Sequence, residues 1–172
     1  MIAVVLVAIG AALFVIFTSG ELPDAVAAHF NLAGEPDRWT SHQSYVALFV
    51  GFLLVYPALM VLAFTWLPKH WPHLVNIPNR DYWFEPERRE ASLEYLAHHG
   101  CWFSIILLVL IAAIHYTILV AHQTQPVTLP MPLFFTVLGC FVLAVTIWTV
   151  QLFQHFRTGG KGLHKDVSVN KR

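Results

Sequence analysis

The chain alternates between long apolar runs and shorter polar segments. The apolar runs cover residues 2–19, 45–67, 101–121 and 133–153. Each is close to the length of about 20 apolar residues that a helix needs to cross a hydrocarbon layer. Between them lie a polar segment at 20–44, a longer one at 68–100 and a short uncharged loop that contains three prolines. The pattern predicts a single domain, an all-α integral membrane protein with four transmembrane helices.

The composition supports this assignment. Hydrophobic residues make up 57% of the chain and charged residues 12%, against about 25% charged residues in soluble domains. This excludes a water-soluble fold. The net charge is zero and no basic run is interleaved with aromatic residues, so the sequence gives no indication of nucleic-acid binding.

The first apolar run has two interpretations, a retained helix or a cleaved signal peptide. It lacks a positively charged start, and Ser19-Gly20 matches a cleavage site poorly. We therefore expect a retained helix. The second run contains Pro57, which transmembrane helices tolerate when neighbouring helices pack around them.

The distribution of lysine and arginine predicts the orientation. Arg38 is the only such residue in the first or third loop, whereas the second loop and the tail at 157–172 hold all the others. The positive-inside rule then places both termini in the cytoplasm. Segment 20–44 becomes an outer loop and segment 68–100 an inner loop.

Both long loops are expected to be structured. In the outer loop, Pro23 suits the first turn of a short helix whose apolar side carries Val26 and Phe30. Gly34 and Pro36 then suit a tight turn, with Gly34 in a left-handed conformation. In the inner loop, Pro86 suits the start of an amphipathic helix that lies on the inner membrane interface and continues into the third span. A partner-docking face is the alternative role for that helix.

Two motifs carry a family resemblance. Leu22-Pro23, His29-Phe30-Asn31, Gly34-Glu35-Pro36-Asp37 and Ser41 together resemble the signature of an uncharacterised bacterial membrane-domain family, although His42 stands where that family more often has Lys. The family also forms the N-terminal part of SdpI-type proteins, which protect cells from a secreted sporulation-delaying toxin and take part in signalling about it. The segments Asn76 to Trp83 and Pro86 to Arg89 are similar to what stand-alone members carry. The resemblance implies a protein of the bacterial inner membrane with an SdpI-like role in immunity or signalling.

These motifs supply the candidate binding residues. In the outer loop they are His29, Asn31, Gly34, Asp37 and Trp39, and in the inner loop Asn79, Asp81, Trp83, Glu87 and Arg88. His115 is the one ionisable side chain that we place well inside a span, with no second ionisable group at its depth. It either handles protons or substrate, or it is a neutral imidazole that forms a hydrogen bond to the second or fourth span. We favour the neutral, hydrogen-bonded imidazole.

Small and polar residues on one side of a span predict where helices pack closely in lipid. Three such seams are predicted. They comprise Gly100, Ser104, Ile111, His115, Ile118 and His122 in the third span; Thr136, Gly139, Cys140, Leu143 and Thr146 in the fourth; and Ala47, Gly51, Val55, Ala58 and Thr65 in the second. Cys101 and Cys140 are expected to stay free, because their depths in antiparallel helices differ by about 20 Å.

The sequence does not favour an enzyme. Asp24 and His29 would point about 140° apart on a helix, and the chain has no Gly-rich phosphate loop, no nucleophile elbow and no zinc-protease motif. We therefore expect no catalytic residues, no metal and no cofactor. The favoured function is recognition of a peptide, lipid or membrane-protein partner by the outer loop. The alternative is a membrane-embedded hydrolase or small transporter that uses His29 with Asp24, Glu35 or Asp37, or uses His115.

Overall fold

The computed structural model describes residues 1–158. Within this range it contains helices α1 (Ile2–Ser19), α2 (His42–His70), α3 (Arg80–Trp83), α4 (Pro86–His122) and α5 (Met131–Thr158), strands β1 (Ala25–Phe30) and β2 (Pro36–Ser41), and a 3₁₀ turn at Pro72–Leu74. Four of these helices, α1, α2, α4 and α5, are long and apolar enough to cross a membrane, which confirms the four predicted spans. Most of the predicted basic tail, including Lys161, Lys165, Lys171 and Arg172, lies outside the described residues.

The outer loop is a β-hairpin, so the short helix predicted after Pro23 is wrong and the fold is not purely α. Strands β1 and β2 pair antiparallel, from Ala25 opposite Ser41 to Phe30 opposite Pro36, with irregular register around His29. The prediction relied on Val26 and Phe30 being four residues apart. That spacing places two side chains on one side of a helix but also on one face of a strand, so it could not distinguish the two structures.

Helices α1, α2 and α4 form the centre of the bundle. Val4, Ala8, Ala12 and Val15 give α1 a buried stripe at helical spacing, and Leu53 of α2 and Leu108 of α4 complete the same cluster. Helix α5 lies at the side and packs chiefly against α4. It buries Leu152 and Phe156 near its end.

The small-residue seam is confirmed for the third span only. Gly100, Ser104, His115 and Ile118 are buried, and a Cβ atom added at Gly100 would overlap the Phe64 side chain. The seam predicted for α2 is not buried: Ala47, Val55 and Ala58 are exposed, and Gly51 and Thr65 are only half-buried. That helix buries Tyr45, Leu53 and Pro57 instead.

The seam predicted for α5 is also wrong. Leu143 is 61% exposed, and Cys140 is exposed as well. The hydroxyls of Thr136 and Thr146 bond to carbonyls one turn earlier in their own helix, at 2.7 Å. They therefore have no need of a partner helix, and large side chains decide how α5 packs. Both cysteines are free, as predicted.

Helix α4 is a single unbroken helix of 37 residues. At 1.5 Å per residue it is about 55 Å long, well beyond the roughly 30 Å of a hydrocarbon core. The amphipathic segment from Pro86 is therefore continuous with the third span. Its exposed side carries Glu87, Glu90, Glu94 and His98, while Leu96 and Gly100 are buried. An interfacial location for this segment stays a prediction.

Candidate functional site

Asn31 builds the turn of the hairpin. Its side-chain oxygen accepts hydrogen bonds from the backbone N–H groups of Ala33 at 2.9 Å and Glu35 at 3.0 Å, and its amide nitrogen donates to the Glu35 carboxylate at 3.1 Å. Gly34 has φ +81°, which confirms the left-handed conformation predicted for it. Both residues therefore shape the loop from within, which is a structural role beside the binding role expected for them.

The hairpin turn is attached to the loop between α4 and α5. The Leu129 N–H donates to the Gly34 carbonyl at 2.8 Å. A Cβ atom at Gly34 would lie 3.2 Å from the Leu129 carbonyl oxygen and 3.5 Å from the Met131 side chain. Glycine is thus required at this position both for its φ and for the close approach of the two loops.

The inner face of the hairpin covers one end of the bundle. Val26 of β1, together with Leu22 just before the hairpin, is buried against Tyr45, Ile118 and Leu119. These contacts remove apolar surface from solvent and fix the orientation of β1 over α2 and α4. The hairpin is therefore a folded cap on the helices.

His122 closes the outer edge of β1. Its Nδ1 bonds to the Ile118 carbonyl at 2.9 Å, and because a carbonyl only accepts, Nδ1 carries the proton. Its Nε2 is then free to accept the Ala27 N–H at 3.2 Å. The Trp39 ring lies edge-on to the same imidazole, with 6.3 Å between ring centroids. His122 was predicted only as part of a seam, and nothing in its sequence context indicates this role as an edge cap.

The outer face of the hairpin carries the exposed polar groups. His29 Nδ1 lies 2.6 Å from Asp37 Oδ1, with the two side chains 63% and 43% exposed. The Asp37 carboxylate accepts a hydrogen bond from His29 Nδ1–H, which leaves Nε2 of the neutral imidazole as an acceptor. Trp39 is 49% exposed and Leu32, at the turn, 96% exposed. The fold thus places His29, Asp37 and Trp39 together on the exposed surface of the hairpin.

Beneath the hairpin, His115 is fully buried in a chain of hydrogen bonds that joins three helices. The Thr18 hydroxyl donates to the Phe14 carbonyl at 2.6 Å, so its oxygen accepts from His115 Nε2 at 2.8 Å. His115 Nδ1 is then the acceptor for the Tyr45 hydroxyl, also at 2.8 Å. Each polar atom of a neutral imidazole has one partner in this arrangement.

The predicted contact of His115 with the second span is confirmed through Tyr45. Two features were missed. Thr18 of α1 is the other partner, and the Tyr45 phenol is a second ionisable group at the depth of His115, where none was expected. Phe14 and Phe49 surround the imidazole with ring-centroid distances of 5.5 and 5.7 Å. The site is a polar chain enclosed by aromatic rings.

The inner motif holds the far end of the bundle together. Asn79 Nδ2 at 3.2 Å and Trp83 Nε1 at 2.7 Å both donate to the Phe156 carbonyl, in the last turns of α5. Asn79 takes a left-handed conformation with φ 54° to reach it.

Arg88 and Asp81, two of the other candidates of the inner loop, bond to neighbouring residues of the same loop. Arg88 pairs with Glu85, donates to the Tyr82 carbonyl at 3.0 Å and lies 3.9 Å from the centroid of the Tyr82 ring. Asp81 pairs with Arg80 at 2.9 Å. Glu87 is exposed. In residues 1–158, no three His, Cys, Asp or Glu side chains lie close enough to hold a metal ion.

Comparisons with known proteins assign no activity. A family model described as "Domain of unknown function (DUF1648)" matches residues 5–55, which include most of α1, the hairpin and the first half of α2. An uncharacterised protein of Archaeoglobus fulgidus is 29% identical over 136 aligned positions, covering 59% of this chain and 73% of that protein. No solved structure matches the chain.

Proposed function

We propose that the protein is a non-catalytic multi-pass protein of the bacterial inner membrane whose hairpin, residues 25–41, recognises a partner at the outer surface. Both termini then lie in the cytoplasm, as the distribution of lysine and arginine predicts. The observation that carries the proposal is the exposed face with His29, Asp37 and Trp39, held on a hairpin whose opposite face is buried.

The rigidity of the hairpin supports recognition. Asn31 and Gly34 set the turn, Leu129 holds it from the side and His122 closes one edge. A surface that is ordered before binding loses less conformational entropy when a partner binds. These contacts come from residues other than His29, Asp37 and Trp39, so the rest of the fold holds the exposed face in place.

The chemistry of the exposed face favours a peptide as the partner. Tryptophan is enriched in protein interfaces, and Trp39 is 49% exposed. His29 Nε2 adds an acceptor for a donor group of the partner. The resemblance to SdpI-type proteins supports a secreted peptide by analogy, and a lipid or a membrane protein are the other candidates.

Site-specific crosslinking tests this function. A photo-crosslinking amino acid at position 32, which is 96% exposed, should capture a discrete partner in intact cells. The same amino acid at position 87 is the control. This position is exposed at the end of the bundle opposite the hairpin, so it should not capture the partner.

The His29→Ala and Asp37→Ala variants should abolish the capture from position 32. Their thermal stability should stay within about 0.5 kcal/mol of wild type, because both side chains are exposed. Capture that survives both substitutions contradicts the assignment of the recognition face to this hydrogen-bonded pair.

A further inference from the structure

The two strands of the hairpin differ in how their outer edges are covered. On β1, the Ala27 N–H points away from β2 and donates to His122 Nε2 at 3.2 Å. Within residues 1–158, β2 packs chiefly against β1 and α2, and four of its six residues are exposed. The edge of β1 is therefore covered by a side chain of α4, whereas the edge of β2 faces outward.

The register identifies the main-chain groups on the edge of β2. Ala27 lies opposite Trp39, and Ala25 lies opposite Ser41. In an antiparallel ladder, pairs that hydrogen-bond to each other alternate with pairs whose N–H and C=O groups point outward. Because the Ala27 N–H points outward to His122, its partner Trp39 belongs to an outward pair, and so does Ser41 two residues later. The Trp39 N–H, the Trp39 carbonyl and the Ser41 N–H therefore lie along this edge.

A second hydrogen bond gives the same alternation. The His42 N–H donates to the Asp24 carbonyl at 2.8 Å, so this pair bonds across the hairpin and the next pair, at Ser41, points outward. In the described part of the chain, no acceptor outside the hairpin takes the N–H of Trp39 or Ser41. Natural sheets protect open edges with proline, lysine or a bulge. On β2, Pro36 and the irregular register lie at the start of the strand, so its second half is an open edge.

The charge around this edge is acidic. Residues 20–44 carry four exposed carboxylates and one exposed guanidinium, namely Glu21, Asp24, Glu35, Asp37 and Arg38. The loop at 123–130 adds no charged residue, and the N-terminal ammonium lies at the other end of α1. Asp37, on β2 itself, uses one carboxylate oxygen for His29. The charge is therefore complementary to a basic segment. A second copy of the chain would bring the same carboxylates together edge to edge, which is unfavourable.

We propose that β2 binds an extended basic peptide segment as a third strand of the sheet. This inference rests on the recognition function proposed above for the hairpin, and it names how the partner is held. The main-chain groups of Trp39 and Ser41 bond to the peptide backbone, as in other cases of strand addition to an open edge. Lysine or arginine side chains on the outer face pair with Asp37, which gives the preference for a basic segment.

Binding of synthetic peptides to the purified full-length protein tests the proposal. The probes are a labelled Lys-Val-Lys-Val-Lys-Val peptide, its Glu-Val counterpart and a fully N-methylated Lys-Val peptide, and fluorescence anisotropy measures their affinities. We expect the Lys-Val peptide to bind and the Glu-Val peptide to bind about tenfold more weakly or worse. N-methylation keeps the charges but removes the backbone donors, so it should weaken binding by about tenfold or more.

Each comparison can fail separately. Equal affinity of the methylated and unmethylated peptides would overturn strand addition, and equal affinity of the Lys-Val and Glu-Val peptides would overturn the charge assignment. Absence of binding by all three peptides also counts against the proposal. Asp37→Asn should weaken binding of the Lys-Val peptide, whereas Glu87→Gln, an exposed change at the opposite end of the bundle, should not.

Two substitutions at one position isolate the main-chain donor in the protein. Trp39→Ala and Trp39→Pro both remove the indole, but only Trp39→Pro removes the N–H. Proline is tolerated on an edge strand where the N–H faces outward. We expect Trp39→Pro to bind the Lys-Val peptide about tenfold more weakly than Trp39→Ala does, and equal binding would overturn the proposal. If Trp39→Pro does not fold, the methylated peptide on the wild-type protein decides the case.

The photo-crosslinking amino acid at position 32 separates this proposal from the recognition function. A partner captured equally in the Trp39→Ala and Trp39→Pro backgrounds leaves recognition in place and overturns strand addition. Peptide binding that N-methylation abolishes, with no partner captured in cells, supports strand addition and contradicts the recognition function. A dimer of the purified protein that Trp39→Pro dissociates would assign the edge to a second copy and overturn the assignment to a basic peptide.

Discussion

His115 shows how a buried histidine acquires partners that its sequence neighbours do not indicate. The chain from Tyr45 through the imidazole to Thr18 and the Phe14 carbonyl links α2, α4 and α1 with every donor directed at an acceptor. The sequence predicted a buried histidine because an ionisable side chain inside a span needs a partner. It could not predict which partners, because Thr18 and Tyr45 are distant in the chain and become neighbours only when the helices pack.

Removing members of this chain should lower stability modestly. Interhelical hydrogen bonds in membrane proteins average about 0.6 kcal/mol. We therefore expect Tyr45→Phe to cost about that amount and His115→Leu about 1 kcal/mol, because the leucine variant loses both bonds. The free energy of unfolding in detergent is the measurement. Tyr56→Phe, in the same helix, is the control, because the Tyr56 hydroxyl makes no hydrogen bond within residues 1–158.

His115→Gln distinguishes a structural role from proton handling. Glutamine can retain a hydrogen bond but cannot take up a proton, so this variant should keep both the fold and the capture of the partner at the hairpin. If it loses function while its folding is unchanged, the small-transporter alternative becomes the better interpretation.

At the scale of elements, the sequence predicts where the membrane-spanning helices lie, but it does not predict which sides of them pack together. Helix length follows from apolar composition, which is local information, so α1, α2, α4 and α5 cover their predicted runs with ends that differ by at most about five residues. Helix α4 begins at Pro86, as predicted for the amphipathic helix that continues into the third span. Which side of a helix packs depends on its neighbours. The seam of α4 was correct because Phe64 fills the space over Gly100. The seams of α2 and α5 were wrong because aromatic and aliphatic side chains pack there instead.

Substituting two helical glycines, Gly100 and Gly139, measures this difference between the packed side of α4 and the exposed side of α5. Gly100→Ala should destabilise the protein, because its new methyl group would overlap Phe64, and overpacking a core typically costs about 1–3 kcal/mol. A Cβ atom at Gly139 would meet nothing within 4 Å. Gly139→Ala should therefore be neutral or stabilise α5 by up to about 1 kcal/mol, since alanine is the better helix former.

Thermal unfolding of both variants in one detergent tests this pair. Equal effects of the two substitutions would show that Phe64 does not pack against Gly100. A strongly destabilised Gly139→Ala variant would show that a partner helix covers the exposed side of α5.

For the whole molecule, the orientation in the membrane is a prediction from the distribution of charge, and labelling tests it. Leu32 and Glu87 are exposed at opposite ends of the bundle. With both native cysteines replaced by serine, a membrane-impermeant thiol reagent should modify Leu32→Cys but not Glu87→Cys in intact spheroplasts, and both after lysis. Ser92 is unsuitable for this test, because it is buried and its hydroxyl bonds to the Trp83 carbonyl. Labelling of Glu87→Cys alone would reverse the topology and move the hairpin to the cytoplasm.

The way α5 is held has a consequence for the order in which the protein forms. One end of this helix is joined to the hairpin through Leu129 and Gly34, and the other accepts hydrogen bonds from Asn79 and Trp83 at Phe156. During synthesis the hairpin and the inner loop leave the ribosome well before Phe156 does. Until the last span is inserted, the Gly34 carbonyl, the Asn79 amide and the Trp83 indole lack these partners. Insertion of α5 is therefore the step at which the hydrogen bonds that hold the hairpin turn and the inner loop can form.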